Sequence, residues 1–252
     1  MIEFFSNEEG VISPSILSKN YKKIGSSLIF CFFHDVIDEL LFEHKIEYYQ
    51  TIFGENSYII YKYIDEEIYI VHGIVGAPAS SIMLEELIAL GANKIVFVGC
   101  AGYLKPEIKN ENIFLVKGAI SNDGTSHHYL KFDYEIPNES PLFLELKDFF
   151  TTKKIPFNEC ITFTTDGLYR ETKEKLNWAI NNGASTVEME QSALIAVSKF
   201  RNAQYASILY AHDDVSKDNY DDSNDEDLLL WRKFEDVRRD LVNYCHDFLK
   251  SK

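Results

Sequence analysis

The chain has 252 residues, 46% of them hydrophobic, and a formal net charge of −15. That length suits one large domain or two small ones, and the apolar content supplies a core and excludes disorder. So acidic a chain is expected to repel nucleic acid and anionic membranes, so neither is expected as a partner.

"MIEFFSNEEG" opens the chain without a basic region followed by an apolar run, so no secretory leader is expected. No uncharged apolar run approaches the roughly 20 residues of a membrane helix. Cys31, Cys100, Cys160 and Cys245 are widely spaced and form no CxxC pair. That pattern points to a reduced, cytoplasmic protein without structural zinc, and no metal is expected. The five arginines, Arg170, Arg201, Arg232, Arg238 and Arg239, all follow residue 169. An anion site in the first two thirds of the chain must therefore use lysine, backbone N–H groups or helix ends.

In chain order, "EIYIVHGIVG" (67–76) reads as a strand ending in a glycine turn. "PASSIMLEELIALGA" follows as a helix with proline at its start and Gly91 at its end. "KIVFVGCAG" (94–102) is a buried strand stopped by a second glycine turn. "NIFLVKGAI" and "CITFTTDG" are further strands, and "EQSALIAVSKF" is a helix. "YASILYAHDD" is a strand ending in acid, and 225–250 has helical spacing through Leu230, Phe234, Val237, Leu241 and Phe248. No repeat or linker interrupts the alternation, so one domain over 1–252 is expected. The class is α/β, with helices on both faces of the sheet.

Ligands in such folds sit beyond strand C-termini, which directs attention to five stretches. "GIVGAPASS" and "VGCAG" are ordinary tight turns unless their N–H groups face an anion, and Cys100 is a small buried residue unless a base activates it. "DGTSHHYL" is a polar loop, since its two histidines lack a third metal ligand. "TTDGLYRET" is either a turn entering a helix or a base-recognition loop. "HDDVSKDNYDDSNDEDL" is mostly a solvated loop, but Asp213 and Asp214 end an apolar strand, where partial desolvation suits a carboxyl to donate a proton. In "STVEME", Ser185 and Glu188 satisfy the capping-box spacing.

Taken in order, "GIVGAPASSIMLEELIALGA", "IVFVGCAGYLKP", "TTDGLYRET" and "VEMEQSAL" resemble the nucleoside phosphorylase and nucleosidase superfamily, over residues 73 to 214. The resemblance implies a three-layer α/β/α domain with a distorted mixed sheet. It also implies a small-molecule nucleoside substrate and a homo-oligomer, dimer or hexamer. Glu190 would hold the ribose hydroxyls, with Glu188 and Met189 lining the sugar. Asp213, or Asp214 beside it, would serve N7 of a purine leaving base. Thr165, Asp166, Leu168 and Arg170 would meet the base, with Leu168 where many relatives carry a stacking aromatic. Phosphate would be the acceptor and co-substrate, with no other cofactor, held near Gly76, Cys100, Ala101 and Gly102. Phe97 stands where phosphorylases of the family place an arginine. The first βα loop is matched to "VISPSILSK", offering Lys19. Phosphorolysis is the expected reaction; hydrolysis by water and nucleoside binding without turnover are its alternatives.

Overall fold

The computed structural model describes residues 5, 6, 8, 10–54, 56–105, 113–215 and 225–252, and for residues 17, 18, 212 and 225–236 the backbone alone. The acidic stretch 216–224, Pro106 and the side chains of Leu230 and Phe234 therefore lie outside the described residues.

A 3-10 turn, Pro14–Lys19, precedes β1 (Ser27–Cys31) and α1 (His34–Phe42). Then come β2 (Ile46–Ile52), β3 (Tyr58–Tyr63), β4 (Ile68–His72), α2 (Ala77–Leu90) and β5 (Lys94–Tyr103). The chain continues through β6 (Ile113–Asn122), β7 (Glu135–Pro137), α3 (Pro141–Lys153), β8 (Asn158–Thr165) and α4 (Lys173–Asn181). It closes with β9 (Ala184–Glu188), α5 (Gln191–Phe200), β10 (Gln204–Asp214) and α6 (Asp225–Lys250).

Local chemistry explains the boundaries. Proline sits in the first turn of α2, where its missing N–H costs no helical bond. Gly91 ends that helix at φ 135°, its N–H returning to the Leu87 and Ile88 carbonyls. β1, β4 and β5 are nearly unbroken apolar runs because both faces of the sheet are covered. On one face Met83, Leu84 and Leu87 of α2 pack with Leu194 and Val197 of α5 against Phe30, Phe97 and Leu209. On the other, Val36 and Leu40 of α1, Leu146 of α3 and Leu241 of α6 meet Ile29, Val98 and Ile208. The expected three layers are thus present.

The sheet is mixed and strongly bent. Its order is β10-β6-β8-β9-β5-β1-β4-β3-β2, with β7 on β6 and a further pairing of β10 with β5. β5 runs parallel to β1 and β10 but meets β9 antiparallel at Gly102 and Tyr103. The five strands β5, β10, β6, β8 and β9 therefore close on themselves. This closure brings the carboxyl ends of β5, β8, β9 and β10 together.

Candidate active site

Glu188 ends β9, and it is buried to 6% exposure. Its Oε1 accepts from the Thr164 hydroxyl at 2.6 Å and the Thr162 hydroxyl at 3.4 Å. Its Oε2 accepts the backbone N–H groups of Glu190 and Gln191 at 2.6 and 2.7 Å. Glu188 therefore caps α5 itself. The expected capping box fails because Ser185 lies within β9, well before the helix begins. Glu190, 5% exposed, occupies the N-cap position of α5. Its Oε1 accepts the Gly76 N–H at 2.6 Å. Gly76 caps α2 at φ 101°, a backbone conformation that favours glycine. Met189 lies half-buried between the two glutamates.

Two carboxylates thus sit at two helix N-termini, where backbone N–H groups and the helix dipoles favour negative charge. Burial opposes this. It raises both carboxyls above the ordinary range, and the charge of Glu190 raises Glu188 further. Glu188 answers with hydrogen bonds to both of its oxygens, whereas Glu190 is anchored through the N-terminus of α2. A carboxylate can accept about four hydrogen bonds, so Glu190 retains capacity for a ligand with vicinal hydroxyls.

Opposite, β10 ends beside β5. Register shifts between Ala211 and Asp213, so His212 is the extra residue of a bulge. Asp213 pairs with Gly102 and Asp214 with Tyr103. The Tyr103 hydroxyl is pushed up to about 12, first by burial and then by the charge of Asp214, to which it hydrogen-bonds. Asp214 is thus an acceptor of a tyrosine hydroxyl.

The expected phosphate residues separate. Gly76 is at the site. Cys100, Ala101 and Gly102 do not form an open turn; they continue β5 beside Tyr210, Ala211 and Asp213 of β10. Gly102 is flanked by β9 as well, so these residues belong to the sheet's ladders and not to a free turn. Lys19 is also displaced. It closes the 3-10 turn that packs along α2 before β1 begins, so it is not in a loop after a strand. The loop after β1 is Phe32–Phe33. There the Phe32 ring packs against Phe97 at 4.8 Å between centroids and against Phe30 at 5.7 Å. Phe97 is 1% exposed. The rings lie directly on glycine backbone. A Cβ at Gly73 would fall 2.0 Å from the Phe32 ring, and one at Gly99 2.9 Å from that of Phe97.

The residues expected to meet the base lie at and just after the end of β8. Thr165 is buried and its hydroxyl accepts the Gly167 N–H at 3.2 Å. Asp166 is exposed and accepts the Gly124 N–H at 3.0 Å, tying this loop to the one after β6. Leu168 and Arg170 form an exposed 3-10 turn. Behind it Glu171 is pushed up to about 7 by burial. Between Pro78, Ser81 and Ile82 of α2 and the loops carrying His127, His128 and Asp166 lies a cleft of about 510 Å³. Sequence reasoning missed Thr164, Phe32 and Tyr103. The alternating threonines of "TFTT" were the available signal for the first, since residues two apart share a sheet face. Among the described residues there is no cluster of metal-ligating side chains, and no helix is long and apolar enough to cross a membrane.

The phosphorylase superfamily profile matches residues 29–250. The DeoD-type purine nucleoside phosphorylase of Buchnera aphidicola is 28% identical over 160 residues, 62% of this chain and 66% of that protein. The uridine phosphorylase of Vibrio fischeri superposes with a TM-score of 0.75 at 20% identity, covering 93% of this chain and 94% of that one. The 5'-methylthioadenosine/S-adenosyl homocysteine nucleosidase of Campylobacter jejuni gives 0.71 at 20% identity, covering 92% and 100%. The chain belongs to the phosphorylase superfamily, and its fold is that of nucleoside phosphorylases and nucleosidases.

Proposed function

We propose that this member of the superfamily is an enzyme that cleaves the N-glycosidic bond of a purine nucleoside. The observation carrying the reading is the glutamate pair. Glu190 stands at the N-terminus of α2 with acceptor capacity for the 2′- and 3′-hydroxyls, and Glu188 fixes the turn that presents it. As the bond opens, the sugar gains oxocarbenium character and its hydroxyls become stronger donors. Hydrogen bonds to a carboxylate then strengthen in the transition state, which is what lowers the barrier. Met189 lines the sugar. Asp213 serves the leaving base, the role its position after the strand gives it in the resemblance, and Asp214 beside it accepts the Tyr103 hydroxyl. Thr165, Asp166, Leu168 and Arg170 border the base.

Water is the acceptor in the reading that the geometry favours. The corner where β1 and β4 end, beside the middle of β5, is walled by Phe30, Phe32 and Phe97. A phosphate dianion needs charge-assisted donors, and phenylalanine rings offer neither donor nor charge. Phosphorolysis is the second reading. Its support is the Gly76 N–H, which an arriving sugar would release from Glu190 for an oxyanion. Neither route calls for a metal or organic cofactor. The single domain would work in the cytoplasm as a homo-oligomer, with exposed Phe53, Val75 and Ile82 available for burial.

The test is a nucleoside panel incubated with and without phosphate, followed by chromatography. Free purine and free ribose at a phosphate-independent rate are expected. Ribose 1-phosphate would replace the first reading by the second. No base from any nucleoside would leave a binding protein.

A further inference from the structure

Asp123 follows β6 and is buried to 5% exposure. Its Oδ1 accepts the hydroxyls of Ser121 at 2.7 Å and Ser126 at 2.9 Å, and also that of Ser192. Its Oδ2 accepts the Ser126 N–H at 2.7 Å. A buried carboxylate costs several kcal/mol of desolvation, and hydroxyl donors offset this less well than a guanidinium would. What the arrangement does supply is geometry. The donors come from three separate segments: the end of β6, the 3-10 turn at 126–128, and the first turn of α5.

That helical turn is the one Glu188 caps. The Ser192 N–H donates to the Thr164 hydroxyl oxygen at 3.0 Å, and the Thr164 hydroxyl donates on to Glu188. Glu188 then holds the Glu190 and Gln191 N–H groups. A chain of hydrogen bonds therefore runs Asp123, Ser192, Thr164, Glu188, Glu190. The neighbouring Gly124 N–H reaches Asp166 in the base loop. Residues 123 and 124 thus tie the sugar carboxylate and the base loop to one buried anchor.

We propose that Asp123 is a positioning residue for Glu190, acting through the Ser192 hydroxyl and the first turn of α5. The inference rests on the reading of Glu190 as the sugar-binding carboxylate. Asp123 has no part in the chemistry, since both its oxygens are occupied by protein donors. Small displacements of a group that binds the transition state fall on kcat more than on KM.

Ser192→Ala removes one hydroxyl and leaves Asp123 its other donors. Its kcat should fall about tenfold, with KM within about twofold of the parent and little change in Tm. Asp123→Ala should fall further. Asp123→Asn should recover part of the loss, because its carbonyl can accept the Ser126 N–H while its amide faces hydroxyls able to accept. If Asp123→Ala does not fold, Ser192→Ala and Asp123→Asn carry the test. In a Glu190→Gln background, Ser192→Ala should cost little more; independent, multiplying losses would overturn the inference. So would a kcat within twofold of the parent in folded Ser192→Ala enzyme. Should the parent release no base at all, the reading of Glu190 fails by itself. Amide exchange then decides on Asp123: faster exchange at Glu190 and Gln191 in Ser192→Ala supports the anchoring, and unchanged exchange overturns it.

Discussion

At the N-terminus of α5, two buried carboxylates are held by helix ends and hydroxyl groups; where β1 and β4 end beside the middle of β5, the rings of Phe32 and Phe97 press on bare glycine backbone. The loop Gly73–Gly76 belongs to both corners, touching Phe32 at one end and Glu190 at the other. The first corner keeps charge in place against burial. The second is lined by apolar rings. A site that binds a sugar and then admits a small nucleophile needs only the first to be polar, provided the nucleophile is neutral. The proposed hydrolysis depends on this contrast, and each corner can be altered separately.

The largest effect is expected at the polar corner. Glu190→Gln keeps shape and one acceptor but loses the charge that meets the developing oxocarbenium ion. kcat/KM should fall about a hundred- to a thousand-fold, with Tm nearly unchanged. A collapse in Tm with intact specific activity would make Glu190 a structural cap. The pH profile sharpens the point. Burial raises the Glu190 carboxyl, so it takes up its proton while the pH is still falling toward neutrality. The protonated group is the poorer acceptor, so activity is lost on the acid side. The acid limb of kcat/KM should therefore lie clearly above the about 4.3 of an ordinary glutamate and vanish in Glu190→Gln. A limb near 4 would assign the profile to another group.

At the dry corner the expected response is in stability. Phe97→Ala opens a void among Phe30, Phe32 and Gly99 and should cost about 3–5 kcal/mol in denaturant unfolding. Adding phosphate should leave both Tm and rate of the parent unchanged. A phosphate-dependent rise in Tm would show that the corner admits an anion, and the contrast between the two corners would be lost.

Between them lie the aspartates of β10. Asp213→Asn should lower kcat about a hundredfold if that carboxyl serves the leaving base. Asp214→Asn, which keeps a carbonyl oxygen to accept from Tyr103, should lower it only a few-fold. The reverse order would exchange their roles.

Much of this was legible in the chain. Strands β4, β5, β6, β8 and β10 and helices α2 and α5 announce themselves by apolar runs or helical spacing bounded by glycine and proline. "VEME" drew attention by placing two glutamates at a strand-to-helix junction, and the structure buries both there. The capping role of Glu188 was not legible. Ser185 and Glu188 have capping-box spacing, but β9 runs on to Glu188 because it pairs with β8, and tertiary pairing overrides a local motif. Register was equally hidden. "VGCAG" reads as a turn in isolation, yet β10 and β9 on either side keep it a strand. The start of the sheet was misplaced as well. β1 is only five residues long, and the first βα loop falls at Phe32–Phe33, after the segment that holds Lys19.

The smallest expected effect tests the border between the corners and the base. Leu168 lies on an exposed 3-10 turn at 52% exposure, packed little enough that a larger side chain disturbs nothing beneath it. An aromatic ring there could lie against a purine, and such stacking contributes about 0.5–1.5 kcal/mol beyond buried area. Leu168→Phe should therefore lower KM for the preferred nucleoside a few-fold. Because the contact is made equally in the bound nucleoside and in the transition state, kcat should stay the same. A change confined to kcat would mean that this loop acts on the bond itself, and the division of labour between Glu190, Asp213 and the base loop would have to be redrawn.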